Sequence, residues 1–329
     1  MDASRYRIRE YRAEDLASIT RLQNRVDPKN AHSVQEQEQF EKAFHRPDLL
    51  DLRWVVEDTR NGELVGAAYL EQHPFNFHPG KAWTDVEVDP SHRRCGLGTA
   101  LARRLEEEAR THGIGTLWTS VEQGDPVSVR FFEAYGFRVI RSVWLSWLDL
   151  PTARLDAFPQ RGPQLAAEGI RFTSLAEEGP ANADVRRRYY DLYRITGLDV
   201  PSMDEPTEMP YDQFVRFELE RDAVLPEGTF LAAHGDLYVG VTTLERMGED
   251  PQGVTVGYTG VRREYRGRGI AAELKLRAIR FARDRGYRRM RTGNDSLNRP
   301  IWSINDRLGF RPRQTWLNGE RALQTPAPR

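Results

Sequence analysis

The sequence predicts an α/β protein that contains two tandem domains. Its 329 residues exceed what a single hydrophobic core usually serves. Segments with the two-residue period of strands alternate with segments of helical period in each half of the chain. The second half also repeats part of the first at a constant spacing, which is typical of a duplicated domain.

The repeat is clearest where HRRCGLGTAL, residues 92–101, matches YRGRGIAAEL, residues 265–274. The offset is 173 residues (266 − 93), and it holds without a gap over residues 88–137, where 11 of 50 positions are identical. Glycines align at three element boundaries: Gly96 with Gly269, Gly113 with Gly286, and Gly136 with Gly309.

A linker is predicted near the middle of the chain. The stretch 150–169 contains three prolines and two glycines, residues that interrupt regular structure. We therefore expect domains at residues 1–151 and 169–329, joined by a linker at residues 152–168.

The first half begins with a strand at 7–11, whose residues alternate, and a helix at 13–26, whose apolar residues have helical spacing. A second helix is predicted at 33–45. Two β-rich runs within 53–72 surround Asn61-Gly62, which indicates a hairpin. A further strand at 83–90 is stopped by Pro90.

After the glycine loop, residues 98–113 form an amphipathic helix that ends at a glycine. A buried strand at 116–121 follows, then a helix at 126–136 with proline in its first turn, and a final strand at 137–150. The second half shows the same order, from a strand at 170–174 through one at 237–245 to one that begins at Phe310.

Composition excludes several classes of protein. Forty-eight basic and 49 acidic residues leave a net charge of −1, so the broad basic surface of a nucleic-acid-binding protein is not expected. Cys95 is the one cysteine, which excludes an internal disulfide and a cysteine-based zinc site. The seven histidines lack metal-ligand spacing. No apolar run suits a membrane span or a signal peptide, and we expect a cytoplasmic monomer or homodimer.

The repeated loop between strand and helix has the chemistry of an anion site. The first N–H groups of a helix lack internal partners, and the helix dipole adds positive charge there. Glycines let an anion approach the backbone, and arginines add forked donors. A Walker A loop is excluded because the Lys-Ser/Thr pair is missing. Residues 267–272 formally fit a dinucleotide fingerprint, but 94–99 do not, and arginines stand where its acid belongs.

Both copies resemble the Arg/Gln-x-x-Gly-x-Gly/Ala signature of the GCN5-related N-acetyltransferases, through Arg93, Gly96 and Gly98 and through Arg266, Gly269 and Ala271. The order of elements and the Gly-Phe before the last strand are similar to that family as well, and the tandem layout is similar to that of mycothiol synthase. The resemblance implies two mixed sheets, each splayed between its fourth and fifth strands, with acetyl-CoA in the cleft.

The resemblance also implies which residues hold the coenzyme. In the first unit they are Val86, Val88, Arg93, Arg94, Cys95, Gly96, Leu97, Gly98 and Thr99; in the second they are Thr259, Val261, Arg266, Gly267, Arg268, Gly269, Ile270, Ala271, Asn294 and Asn298. Asn298 is expected to contact coenzyme A, and for Asn294 and Asn305 capping of the helix is the alternative role.

Glu87 stands where the family often places a carboxylate base, whereas the second unit has Gly260 there and leaves Glu245 or Asp250 as substitutes. The family's tyrosine acid is replaced by Phe132 and by Asn305, so Tyr135 is the alternative phenol. The candidate catalytic residues are therefore Glu87, Tyr135 and Asn305.

The resemblance predicts acetyl transfer from acetyl-CoA to an amine of a small molecule or peptide, with the second unit as the catalytic one. Residues 24–48 and 196–216 are expected to form the walls of the acceptor site. The missing tyrosine leaves a second hypothesis, a non-catalytic protein that binds or senses acyl-CoA.

Overall fold

The computed structural model describes residues 2, 4–74, 76–248 and 250–323 of the chain. They form two compact units. The first unit contains the described residues up to Ile140, together with Met203–Glu205 and the described residues from Leu317 onward. The second unit contains Arg141–Ser202 and Pro206–Trp316. These ranges depart from the expected domain ranges at the last strand of each half.

Among the described residues, the first half of the sequence supplies six strands and four α-helices. The strands are β1 Tyr6–Glu10, β2 Asp51–Asp58, β3 Leu64–Glu71, β4 Lys81–Val88, β5 Thr116–Glu122 and β6 Arg138–Asp149. The helices are α1 Leu16–Val26, α2 Val34–Phe44, α3 Leu97–Thr111 and α4 Pro126–Ala134.

The second half supplies six strands and six helices among the described residues. The strands are β7 Ile170–Ser174, β8 Phe230–His234, β9 Leu237–Met247, β10 Asp250–Val261, β11 Arg289–Asp295 and β12 Arg311–Ala322. The helices are α5 Gly162–Ala167, α6 Leu175–Glu178, α7 Ala183–Gly197, α8 Tyr211–Glu218, α9 Ile270–Asp284 and α10 Arg299–Leu308. Helices α3 and α9, and strands β5 and β11, have bounds 173 residues apart at both ends (270 − 97 and 289 − 116).

Each unit contains a mixed sheet, as expected. In the first, β1, β2, β3 and β4 are antiparallel neighbours, β4 is parallel to β5, and the residues of β12 from Leu317 onward follow β5. In the second, the order is β7-β8-β9-β10-β11-β6, with β10 parallel to β11. Residues 143–149 of β6 pair with all of β11. A strand pattern does not reveal which sheet the strand joins, so this exchange was not predicted.

The parallel pair of each unit separates before its strands end. Strands β4 and β5 pair from Lys81 with Thr116 to Trp83 with Trp118, although both continue further. Strands β10 and β11 pair from Gly253 with Arg289 to Val256 with Thr292. Each sheet therefore has the splayed gap expected between its fourth and fifth strands.

Apolar side chains hold one long helix against each sheet beside this gap. In the first unit Leu97, Leu101 and Leu105 of α3 are buried against the sheet, and Val86 and Val88 pack against the same cluster. In the second unit α9 is buried on two sides: Ile270 and Leu274 pack with Val261, and Leu276 and Ile279 pack with Met290. Such burial fixes the first turn of each helix at the end of the preceding strand.

Candidate active site

The two glycine loops have the same backbone shape. Arg94 and Gly96 in the first loop have φ of 66° and 80°, and Gly267 and Gly269 in the second have φ of 77° and 91°. Arg94 is the one non-glycine residue with positive φ among the residues that the structure describes. Alternation of positive and negative φ turns successive N–H groups toward one point, which makes an anion-binding concavity.

The N–H groups of both loops are available to an anion. Within the described part of the chain, the N–H groups of residues 94–99 and 267–272 donate no backbone hydrogen bond. Leu97 and Ile270 anchor the helix starts because their side chains are buried. Cys95 is exposed, and its thiol donates to the carbonyl of Arg93 at 3.5 Å. The donor set of each loop therefore suits the diphosphate of a coenzyme.

The signature arginines support the loops instead of pointing freely to solvent. Arg93 Nε donates to the carbonyl of Val88 at 3.2 Å, and Arg266 Nε donates to that of Val261 at 3.0 Å. Each contact ties the loop to the last residue of the preceding strand. The other end of Arg266 binds Asp199, which also binds Arg263.

Strand β10 contains an irregularity beside the gap. Between Val256 and Thr259 its register against β9 shifts by one residue, because β10 advances three positions while β9 advances two. A Cβ built on Gly257 would lie 2.7 Å from Glu245 Oε1 and 3.0 Å from Thr243 Oγ1. The ladder of β3 and β4 runs without a shift. A bulge of this kind re-aims backbone groups next to a site.

A buried carboxylate lies near this bulge, on the side of helices α7 and α8. Glu218, the last residue of α8, is 5% exposed. Tyr189 Oη donates to its Oε2 at 3.5 Å. Burial, and then the negative charge of Glu245, raise the pKa of Glu218 to about 7. Glu245 accepts a hydrogen bond from Arg221 at 2.8 Å, and the positive charge of Arg221 offsets part of the rise in the pKa of Glu218.

Tyrosine and threonine side chains complete this cluster. Tyr258 Oη donates to Thr196 Oγ1 at 2.9 Å, and a Cβ on Gly260 would lie 2.7 Å from both oxygens. The Tyr193 ring packs at a tilt against the Tyr258 ring, with centroids 4.9 Å apart. Burial raises the pKa of Tyr258 well above its ordinary value, so its hydroxyl stays protonated. Thr259 Oγ1 bonds to Thr242 Oγ1 at 2.9 Å.

Capping of a helix was considered for Asn294 and Asn305 of the second unit, but these two side chains bind each other instead. Asn305 is fully buried within α10, and its Nδ2 donates to Asn294 Oδ1 of β11 at 2.5 Å. Asn298 stands at the N-cap of α10, but its side chain makes no capping hydrogen bond. The splayed end of β11 brings Asn294 and Asn305 together.

In the first unit, Glu87 lies on the α1 side of β4. Tyr69 Oη donates to Glu87 Oε2 at 3.2 Å, and Gln23 Nε2 donates to that tyrosine oxygen at 3.1 Å. Burial of the carboxyl group, reinforced by Asp85, raises the pKa of Glu87 well above the ordinary range of a glutamate. Glu87 is therefore placed and tuned as a base would be.

Aromatic side chains at α4 pack against α3 and β12 in the first unit. A Cβ on Gly98 would lie 3.2 Å from the Phe131 ring, and one on Gly319 would lie 2.1 Å from the Phe132 ring. Tyr135 Oη donates to the carbonyl of Thr99 at 3.1 Å. The phenol of Tyr135 is thus attached to the first turn of α3.

Sequence reasoning missed two groups and misplaced one. Asp250 pairs with Arg289 at 2.9 Å at the far end of β10, away from the splayed residues. Glu218 was missed because its burial depends on contacts that no local pattern reveals. Lys275 on α9 was missed because a lysine in an amphipathic helix is usually exposed, whereas this one is 2% exposed.

Comparison with known proteins agrees with this geometry. The sequence profile described as the acetyltransferase (GNAT) family matches residues 14–137 and 189–310, more than half of the chain. The chain belongs to the acetyltransferase (GNAT) family. It holds two GNAT domains in tandem, and the acyl donor of GNAT proteins is acetyl-CoA.

Similar GNAT proteins include tandem ones. Mycothiol acetyltransferase from Saccharomonospora viridis is 28% identical over 257 residues, which cover 77% of this chain and 78% of that protein. A tandem GNAT protein from the clavulanic acid biosynthesis pathway has a TM-score of 0.71 at 22% identity, with 96% and 98% of the two chains covered. A GCN5-related N-acetyltransferase from Sphaerobacter thermophilus has a TM-score of 0.66 at 20% identity, with 96% and 95% covered.

None of the helices in the described residues of this GNAT protein combines the length and the apolar character that crossing a membrane requires.

Proposed function

We propose that the second unit transfers the acetyl group of acetyl-CoA to an amine, which attacks the thioester directly. The observation that carries the proposal is that strand β10 passes a carboxylate cluster at its bulge and then leads into the second glycine loop. Its bulge touches a carboxylate cluster at Gly257, and its end leads into the loop of unpaired N–H groups at 267–272. Donor and acceptor chemistry therefore meet on one strand.

In this proposal, the second glycine loop binds the acetyl-CoA. The N–H groups of 267–272 and the positive end of α9 suit the diphosphate of coenzyme A. Beyond Val256 the edge of β10 is not paired with β11, so the backbone groups of that edge, up to Val261, can contact the pantetheine arm of acetyl-CoA. Holding the two reactants in one complex converts a bimolecular step into an effectively unimolecular one. This conversion is a main source of rate acceleration.

Glu218 is the base in this proposal. An acceptor amine is an ammonium ion at neutral pH and must lose a proton before it attacks. A carboxylate whose pKa is about 7 can take that proton under the conditions in which the enzyme works. Glu245 lies beside it at the bulge and is paired with Arg221, so the group has a net negative charge when Glu218 is ionised, which favours a cationic acceptor.

The acceptor is a small-molecule or peptide amine. One relative is named for the acetylation of mycothiol, and another, from Pseudomonas paraeruginosa, for that of L-methionine sulfoximine and L-methionine sulfone. The aromatic and carboxylate lining between α7, α8 and β10 has the chemistry that binds a small cationic group.

A thiol-release assay with acetyl-CoA and a panel of amines tests the proposal. Glu218→Gln is expected to lower kcat by about 100-fold to 10,000-fold, the usual range for loss of a general base. Glu87→Gln is the corresponding change in the first unit. A large loss in Glu87→Gln with full activity in Glu218→Gln would transfer the reaction to the first unit. Binding of coenzyme A without turnover of any amine would favour a non-catalytic sensor.

A further inference from the structure

Lys275 is a buried lysine whose side-chain nitrogen has no polar partner among the described residues. It is 2% exposed, and no ion pair or hydrogen bond is observed for its ammonium group within the described residues. Its Nζ lies 5.7 Å from the centroid of the Phe310 ring. Buried lysines are rare unless they are paired, because desolvation of the charge is costly. A buried titratable group with a strongly shifted pKa is a candidate functional residue.

The position of Lys275 along α9 places it at the base of the splayed gap. Helix α9 connects two parallel strands, so it runs opposite to β11. Ile279 packs in one cluster with Met290 of β11. Lys275 is one turn nearer the helix start, about 5 Å, and Thr292 is two residues further along the strand, about 7 Å. The two therefore lie at the same level, and Thr292 forms the last pair with β10.

Other buried polar atoms at this level also lack partners. Ser146 pairs in register with Thr292, is fully buried, and has no hydrogen bond for its Oγ among the described residues. Asn305 Oδ1 is likewise buried and unpaired there, although its Nδ2 binds Asn294. Unpaired polar atoms in a core cost free energy, so several together indicate a polar ligand.

The first unit shows what the same layer looks like when it is a simple core. At the offset of 173, Ala102 stands for Lys275 and Phe132 for Asn305. Both are buried, and the Phe132 ring covers Gly319 so closely that a Cβ there would lie 2.1 Å away. The second unit has polar side chains at positions where apolar side chains pack well in the first unit. The polar groups of this layer in the second unit are therefore not a requirement of packing.

We propose that Lys275 is a catalytic residue, the acid that protonates the sulfur of coenzyme A when the acetyl group leaves. The inference rests on the proposed acetyl transfer and adds the missing proton donor. The acceptor nitrogen forms the new N–C bond, the C–S bond breaks, and its electron pair goes to sulfur. A proton of the Lys275 ammonium then moves to sulfur and leaves a neutral amine. Glu218 holds the first proton, taken from the acceptor ammonium before it attacks, and the acceptor nitrogen loses its second proton to water as the amide forms. Exchange of protons with water then restores Glu218 and Lys275.

Burial alone makes Lys275 suitable for this step. It lowers the pKa of Lys275 to about 7, and no charged side chain among the described residues contributes to the shift. A thiol has a pKa of about 8.5, so transfer from this ammonium to a thiolate is downhill. Lys275 and Glu218 would then form an acid and a base with pKa values displaced in opposite directions from their ordinary values.

Binding experiments on Lys275→Met test the contact with sulfur without turnover. The probes are coenzyme A and desulfo-coenzyme A, which lacks the thiol. The wild type is expected to bind coenzyme A roughly threefold to tenfold more tightly than desulfo-coenzyme A, which corresponds to one hydrogen bond. Lys275→Met is expected to bind the two molecules equally. Arg283→Met, which removes an exposed cation from the last turn of α9, should keep the wild-type preference. Lys275→Ala copies Ala102 and serves as the second variant if Lys275→Met does not fold.

The pH profile of kcat provides the second test. The wild type should lose activity as pH rises through the pKa of Lys275, because the acid is lost, and Lys275→Met should lack this limb and have a much lower kcat. A variant that retains the limb, the rate and the preference for coenzyme A would overturn the role of Lys275 alone. A wild type that binds neither coenzyme would instead overturn the proposed function.

Discussion

Arg94 and Gly267 occupy the same position of the two glycine loops, and both have positive φ, at 66° and 77°. The loop backbone is therefore kept although one copy has a side chain that disfavours this conformation. A Cβ on Gly267 would meet no atom within 4 Å. This position can carry a new side chain in the second unit, where it would stand beside the unpaired N–H groups.

Gly267→Asn is expected to fold with a loss of at most about 1 kcal/mol in the free energy of unfolding, because asparagine tolerates positive φ and the site has space. Gly319→Ala is the contrasting change. Its Cβ would lie 2.1 Å from the Phe132 ring, and overpacking of this kind costs about 1 to 3 kcal/mol. Urea unfolding of both variants checks the order. A greater loss in Gly267→Asn would show that the loop has no room.

Lys275→Met should make the protein more stable and change its dependence on pH. The folded-state pKa of Lys275 is lowered to about 7 from about 10.5, so the unfolded state binds more protons between these values. Wild-type stability should therefore rise with pH across this window, by at most about 1.4 kcal/mol per pH unit from this group. Denaturant unfolding at several pH values should show a smaller rise in Lys275→Met. Equal slopes would mean that Lys275 is not buried as a neutral amine.

Glu218→Gln should change the pH dependence of the free energy of unfolding in the acidic range, whereas Lys275→Met changes it in the alkaline range. The pKa of Glu218 is raised from 4.5 to about 7, so the folded state binds more protons between these values. Wild-type stability from this group is complete below the lower value and is lost as pH rises through the higher one. The glutamine variant lacks this decline. Unfolding curves at pH 5 and pH 7, chosen as roughly the two ends of the window, measure the difference. A wild type with the same pH response as the variant would contradict the buried carboxyl group.

Asp199→Asn should strengthen the binding of coenzyme A. Asp199 binds Arg263 and Arg266 at the start of the second loop and offsets their charge. Removal of its carboxylate leaves both arginines to attract the phosphates, and affinity should rise by roughly twofold to tenfold at low salt. Asp212→Asn removes an exposed charge of the same sign elsewhere in the second unit and is the control. An affinity that falls in Asp199→Asn would show that Asp199 positions the arginines for the ligand instead.

Much of this fold could be predicted because the repeat places glycines at element boundaries. The predicted starts and ends of α3 and β5 agree with the structure to within two residues, and α9 and β11 follow at the same offset. The exchange of β6 into the second unit could not be predicted, since period-two alternation marks a strand but not its neighbour. The bulge at Gly257 likewise depends on pairing with β9.

The loops of the candidate site could also be predicted, because helix termini and glycine spacing act locally. The groups around them could not. Glu218 becomes a base candidate through contacts with residues far away in sequence, among them Tyr189 and Glu245. Lys275 differs from an ordinary surface lysine only through the packing of α9. Local sequence carries no information on such burial.

The most direct measurement of the central claim is calorimetric titration of coenzyme A into Gly267→Asp and Gly267→Asn. The two side chains have nearly the same shape, but only aspartate adds a negative charge beside the N–H groups of the second loop. We expect Gly267→Asn to bind within a few-fold of the wild type and Gly267→Asp to lose about tenfold or more. Arg94→Asp and Arg94→Asn make the same comparison in the first loop. Equal binding by both Gly267 variants, with the loss seen only in Arg94→Asp, would contradict the account.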